Sequence, residues 1–168
     1  MALTPPPPPI ASRLAADLAT HDSATEVLGR WCARRRWANP PIVLAMREAG
    51  AAKPATPEIR RRLDAAPGEK VAYRRVKLTC GGRLLSEADN WYLPDRLTRK
   101  MNQELDHGDV PFGVVARPLR FHRKPVGAPI VGRAAVPYVL RQRALLVGAG
   151  GRPISFVQEN YTVKLVGR

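Results

Sequence analysis

Apolar positions along this chain recur at two different periods, and the switches between them mark out its elements. Ala24, Val27, Leu28, Trp31 and Cys32 repeat at steps of three and four, the stripe of a helix with one buried face. Ser23 and Glu26 stand at capping-box spacing, so the helix is predicted to begin there, and Asn39, Pro40 and Pro41 close it. A shorter helix is predicted over residues 12–19. The run 42–46 is nearly continuous apolar sequence and too short for a helix, so it reads as a strand. Thr56 followed by Pro57 supplies a cap and a first helical residue, opening one or two turns through Leu63.

Beyond residue 70 the period falls to two. Residues 70–80 and 83–93 flank Gly81 and Gly82, which predicts a β-hairpin on a turn that tolerates positive φ. Leu97, Met101 and Leu105 step by four and predict a helix, capped by Asp95 or Thr98 and broken at 110–113. Residues 117–124 read as a basic strand and 125–137 as a Gly- and Pro-punctuated loop. A second hairpin is predicted from 138–147 and 153–165 around the glycine-rich turn 148–151. Helices followed by hairpins, without β-α-β alternation, predict an α+β fold with a mainly antiparallel sheet.

The chain has 168 residues, 45% apolar and 25% charged, which suits one globular domain over 11–168 behind a proline-rich tail at 1–10. No apolar run approaches the ~18 residues of a membrane span. The start lacks the basic and apolar regions of a secretory signal, so a cytoplasmic location is expected. Cys32 and Cys80 are too few for a disulfide framework and form no C-x-x-C pair; both read as small buried hydrophobes. The net charge of +14, carried mostly by arginine, attracts anions. No nucleic-acid-binding signature accompanies it, so the expected partner is a small anionic substrate; neither nucleic acid nor an obligate protein partner is expected.

Standard catalytic motifs are absent: no G-x-S-x-G, no phosphate-binding glycine loop, no H-E-x-x-H. Asp106, His107 and Asp109 cluster in a polar turn without metal-ligand spacing, so no metal and no cofactor are expected. The last strand is more informative. Ser155, Val157, Glu159, Tyr161 and Val163 share one face, which sets a carboxylate on an apolar surface. Glu159 must then be paired, or protonated with a raised pKa, or face water after all. In the first hairpin one of the neighbours Arg74 and Arg75 faces inward, where a guanidinium fork is suited to anchor a carboxylate.

Tyr73 with its following Arg-Arg-Val-Lys-Leu-Thr-Cys-Gly-Gly, the Asn90-Trp-Tyr-Leu-Pro that closes the hairpin, the Pro111-Phe-Gly break, and the Gly151-Arg-Pro-Ile turn ahead of Glu159 together resemble chorismate lyases. The ligand-binding domains of GntR-type regulators share that architecture. The resemblance runs from about Asp22 to Leu165 and implies a six-stranded antiparallel sheet flanked by helices around an enclosed pocket. It also implies a cofactor-free elimination converting chorismate to 4-hydroxybenzoate and pyruvate, a step towards ubiquinone. The family's carboxylate-binding arginine precedes the hairpin-turn cysteine by five positions, so the resemblance implies Arg75 as the carboxylate clamp, aided by the Phe112 backbone in the loop that contains Gly113. The acid in the last strand lands on Glu159, to hold the ring hydroxyl, and the lid residue lands on Ala24. The alternative on the same scaffold is a non-catalytic module that binds a small effector.

Overall fold

The computed structural model describes residues 9–50, 52–135 and 137–166, so most of the proline-rich tail lies outside the described residues. Two helices come first, α1 (Ile10–Ala19) and α2 (Ala24–Arg34), then strand β1 (Leu44–Arg47) and the short helix α3 (Pro57–Arg62). The hairpin strands β2 (Ala72–Cys80) and β3 (Arg83–Tyr92) are followed by α4 (Arg99–His107) and the single turn α5 (Phe112–Val115). Strands β4 (His122–Pro125), β5 (Ile130–Val131), β6 (Leu140–Val147) and β7 (Pro153–Tyr161) complete the chain. Ser23 caps α2 by accepting the Glu26 amide, Thr56 caps α3 and Thr98 caps α4, each as its spacing predicts.

Among the described residues the strands form one antiparallel sheet in the order β1-β2-β3-β7-β6-β4, with β5 on β6. Side chains therefore line up in rows across the sheet. Arg74, Asn90, Val157 and Ala144 form one row, and Val76, Ala88, Glu159 and Gln142 the next. These rows share a face, covered by α1 and α2 through Leu14, Leu18, Val27, Leu28 and Trp31. The opposite face carries Arg75, Asp89, Gln158 and Arg143 in register, and α3 covers part of it with Ile59 and Leu63 against Trp91 and Phe156. The α+β class and the helix-flanked antiparallel sheet are as predicted.

Two local expectations are corrected. Residues 117–124 are not one strand: Arg117–Leu119 is a 3-10 turn, Arg120 takes φ 49°, and only His122–Pro125 pairs with β6. The turn's proline and the left-handed residue interrupt the alternation. Cys32 and Cys80 are buried as expected, but they are bonded to each other rather than standing as free hydrophobes, so α2 is tied to the end of β2. Beside that bond, Gly81 at φ 58° lies so close to α2 that a Cβ there would meet the Trp37 carbonyl oxygen at 2.2 Å. Glycine is required at this contact. No helix among the described residues is long and apolar enough to cross a membrane.

The bond closes a loop with a sequence separation of 48, for which chain entropy gives about 4 kcal/mol. Replacing both cysteines by alanine is expected to lower the urea-unfolding free energy by about 2–4 kcal/mol. Alkylation under denaturing, non-reducing conditions is expected to find both thiols blocked; free thiols would contradict the pairing.

Candidate functional site

Between the inner sheet face and the N-terminal ends of α2 and α5 lies a cavity of about 60 Å³. Ala24, Phe112 and Gly113 line it together with Val76, Ala88 and Val157. By the ~10–15 Å³ that one water centre requires, it has room for about four waters or a small organic acid. Helix α5 approaches α2 at Gly113, where a Cβ would sit 3.4 Å from Thr25 Oγ1. Phe112 packs on Tyr92 with ring centroids 5.5 Å apart. Asp22 and Phe121 line both the cavity and the shallow groove outside it, and so mark its mouth.

Glu159 is buried on the cavity floor, and of the three readings left open for it the structure selects pairing. Arg123 Nη1 and Nη2 donate to its two oxygens at 2.9 and 2.5 Å, Gln142 Nε2 donates at 3.1 Å, and the Tyr161 hydroxyl donates at 2.8 Å. Three of these donors converge on Oε2 and one reaches Oε1, so Oε2 is filled while Oε1 keeps one acceptor direction. Burial works to raise the Glu159 carboxyl pKa, but Arg123, Gln142 and Tyr161 outweigh it and hold the group below its ordinary value. It stays ionised, its charge matched by Arg123.

Arg74, not Arg75, enters the cavity. Its side chain stands one row from Glu159 on the same face, and the residue is 3% exposed. Its Nη2 donates to the Val110 carbonyl at 3.3 Å, and its Nε has no partner. No carboxylate among the described residues pairs with it. Burial first, and then the Arg47 charge, lower its pKa, and Tyr92 and Asp106 offset only part of that shift.

Arg75 lies on the other face of the sheet. Its Nε donates to Glu48 at 2.6 Å, its Nη1 to Asp89 at 3.0 Å, and its Nη2 lies 3.6 Å from Glu87. Asp89 also accepts from Tyr73 at 2.5 Å and from Lys53, so this cluster compensates itself. Glu159, Phe112, Gly113 and Ala24 thus gather at one cavity while Arg75 is excluded. The reason is strand parity: β2 buries Arg74, Val76, Leu78 and Cys80, so an offset of five from Cys80 points outward. Arg123, which the sequence reading passed over within a basic stretch, is the partner that Glu159 required.

No family model matches the chain. The fold is that of GntR-type regulator effector domains. The effector domain of PhnF from Mycobacterium smegmatis aligns with a TM-score of 0.56 at 13% identity, covering 84% of this chain and 88% of that one. The ligand-binding domain of a GntR-family regulator from Bordetella bronchiseptica aligns with a TM-score of 0.50 at 18% identity, covering 71% and 82%. In sequence the chain is 37% identical over 174 residues to the uncharacterized protein y4mC of Sinorhizobium fredii, covering 91% of this chain and 73% of that protein. It belongs to the family of y4mC.

The expectation of a chorismate lyase, with its chorismate and ubiquinone connections, is corrected on two grounds. The structural neighbours are effector domains of transcriptional regulators. In addition, the two residues assigned to the chemistry do not meet: Arg75 is on the far face, tied to Glu48 and Asp89, while Glu159 is on the cavity side, paired with Arg123.

The pairing of Glu159 has a signature in pH. With Arg123 present, the depressed carboxyl pKa contributes stability above the ordinary value of 4.5, which is lost as pH falls through the folded-state value. In Arg123→Met only burial, Gln142 and Tyr161 remain, and the folded-state pKa is expected to rise above the unfolded one. That variant should lose about 3–5 kcal/mol near pH 7 and recover part of it towards about pH 4.5, where the carboxyl protonates. Urea midpoints at the two pH values measure this. A deficit that does not change with pH would show that another group is responsible.

Proposed function

We propose that this chain is a non-catalytic ligand-binding module whose cavity takes a small organic anion on Arg74. The observation that carries the reading is the buried guanidinium without a carboxylate partner, in a chamber where Arg123 and Glu159 pair with each other and Asp22, at the mouth, accepts the Arg123 amide. A planar fork accepts a carboxylate or a phosphate oxygen pair in two parallel hydrogen bonds. Apolar walls from Val76, Leu78 and Val157 lower the local dielectric and strengthen that attraction. Phe112 and Phe121 supply an aromatic flank for a ring or an alkyl body, and Ala24 and Gly113 leave space beside them. Arg75 on this reading is a structural residue of the opposite face. The effector-domain fold of the neighbours is in keeping with such a role.

The test is thermal unfolding and calorimetry with acetate, benzoate, 4-hydroxybenzoate, inorganic phosphate and a hexose 6-phosphate, each set against a neutral analogue. At about a hundred times its Kd, a ligand adds about 2.7 kcal/mol, expected here as a rise of about 5–10 °C. Arg74→Met should abolish that rise. It should also make the unliganded protein more stable by about 1–3 kcal/mol, because an uncompensated buried charge is removed at similar volume. Loss of stability in Arg74→Met together with no response to any anion would overturn the reading.

A further inference from the structure

The last turn of α2 and the residues after it read Arg30-Trp-Cys-Ala-Arg-Arg-Arg-Trp37. Folding gathers more of the same charge around this segment. Arg34 stacks on Trp31 at 5.3 Å and lines one groove with Arg13 and Arg35, while Arg30 shares a second groove with Arg34. Arg35 and Arg83 both lie over Trp37, at 5.8 and 5.0 Å. Among the described residues lining the two grooves, Asp17 is the sole acid, and it is engaged by Trp31 Nε1 at 2.7 Å and Arg34 at 3.3 Å. Arg30 and Arg36 are exposed and have no acidic partner among the described residues.

The backbone of Arg36 adds a second, independent observation. Its amide bonds to the Ala33 carbonyl and the Trp37 amide bonds to the Cys32 carbonyl, the pair of bonds that closes a helix through a left-handed residue. That position usually holds glycine, and here arginine occupies it at φ 55°. Arginine therefore occupies a position where the backbone favours glycine. The Cys32–Cys80 bond and the Gly81 contact then fix the segment against the β2–β3 turn, so the arginines are presented on a rigid base.

We infer that this arginine cluster is a docking surface for the phosphate backbone of nucleic acid. Guanidinium groups with few acids among them suit a regularly spaced polyanion, since each phosphate contact releases counterions and needs no base-specific geometry. A membrane surface fits less well, because Trp31 is buried and Trp37 lies under two arginines, leaving no aromatic anchor in the cluster to enter the headgroup region. The surface lies at the opposite end of α2 from the cavity, and the inference does not rest on the ligand-binding reading.

The experiment measures fluorescence anisotropy of a labelled duplex of about twenty base pairs, titrated with the full chain across a range of salt. The cluster variant Arg30→Gln/Arg34→Gln/Arg36→Gln should weaken binding at least about tenfold near 0.1 M salt and make the log–log salt slope shallower by about 3. A control with the same charge removed on the other face, Arg61→Gln/Arg62→Gln/Arg152→Gln, should keep most of the affinity. Arg36→Gly separates binding from folding: it should be at least as stable as the parent in a thermal melt while making the slope shallower by about 0.9. Equal loss in both triple variants, no binding of the duplex at low salt, or arginine-dependent binding to anionic phosphatidylserine vesicles with none to the duplex would each overturn the inference.

Discussion

Two guanidinium groups enter the inner face of this sheet, and one carboxylate waits there. Arg123 comes from the edge strand β4 and takes Glu159 in a fork, with both partners nearly buried. Breaking so close a pair costs about 3–5 kcal/mol, so Glu159 cannot serve Arg74 as well. Arg74 therefore stays charged in an apolar setting with a single long bond to a carbonyl. The surrounding side chains, Val76, Leu78, Ala88 and Val157, cannot relieve it. The resulting imbalance gives the cavity its chemical character: a chamber of aliphatic, aromatic and polar lining holds a buried guanidinium that no carboxylate among the described residues pairs.

The same sheet solves the opposite problem on its other face. There Arg75 and the ammonium groups of Lys53 and Lys77 meet Glu48, Glu87 and Asp89, and two tyrosine hydroxyls complete the carboxylate shells. Burial and the hydrogen bond to Asp89 raise the Tyr73 pKa to about 12, so that hydroxyl remains a donor throughout the physiological range. Compensation there is nearly complete, and the cluster holds β1, β2 and β3 together rather than receiving a ligand. Neighbouring residues in one strand thus have unlike roles, because the pleat sends Arg74 and Arg75 to environments with different charge balance.

Much of this was legible before any coordinates. The capping spacings at Ser23, Thr56 and Thr98 act within four residues, and the glycine turns at 81–82 and 148–151 fix hairpins locally, so each is written in short stretches of sequence. Glu159 was also readable as inward-facing, because Val157 and Tyr161 flank it at period two. What resisted was pairing over distance. Cys32 and Cys80 lie 48 residues apart, and Arg123 and Glu159 lie 36 apart, so neither pair leaves a local pattern. Parity distinguishes Arg74 from Arg75, because Arg74 shares the inward face with Val76, Leu78 and Cys80 whereas an offset of five from Cys80 falls on the outward face. The stretch around Arg120 was misread because a left-handed residue breaks alternation without requiring glycine.

Helix α2 ties these parts together, and its two ends are held very differently. Its eleven residues span about 16 Å. At the cavity end it is held by the Ser23 cap and by side-chain contact with α5 across Gly113, interactions that side-chain rotation can release. At the arginine-rich end a covalent bond and a backbone contact tolerating no Cβ fix it to the β2–β3 turn. The fold thus sets a capped, side-chain-packed helix end beside the unpaired guanidinium and a covalently tied end beneath the arginine cluster, so one helix links the two positively charged regions through the core residues Val27 and Leu28.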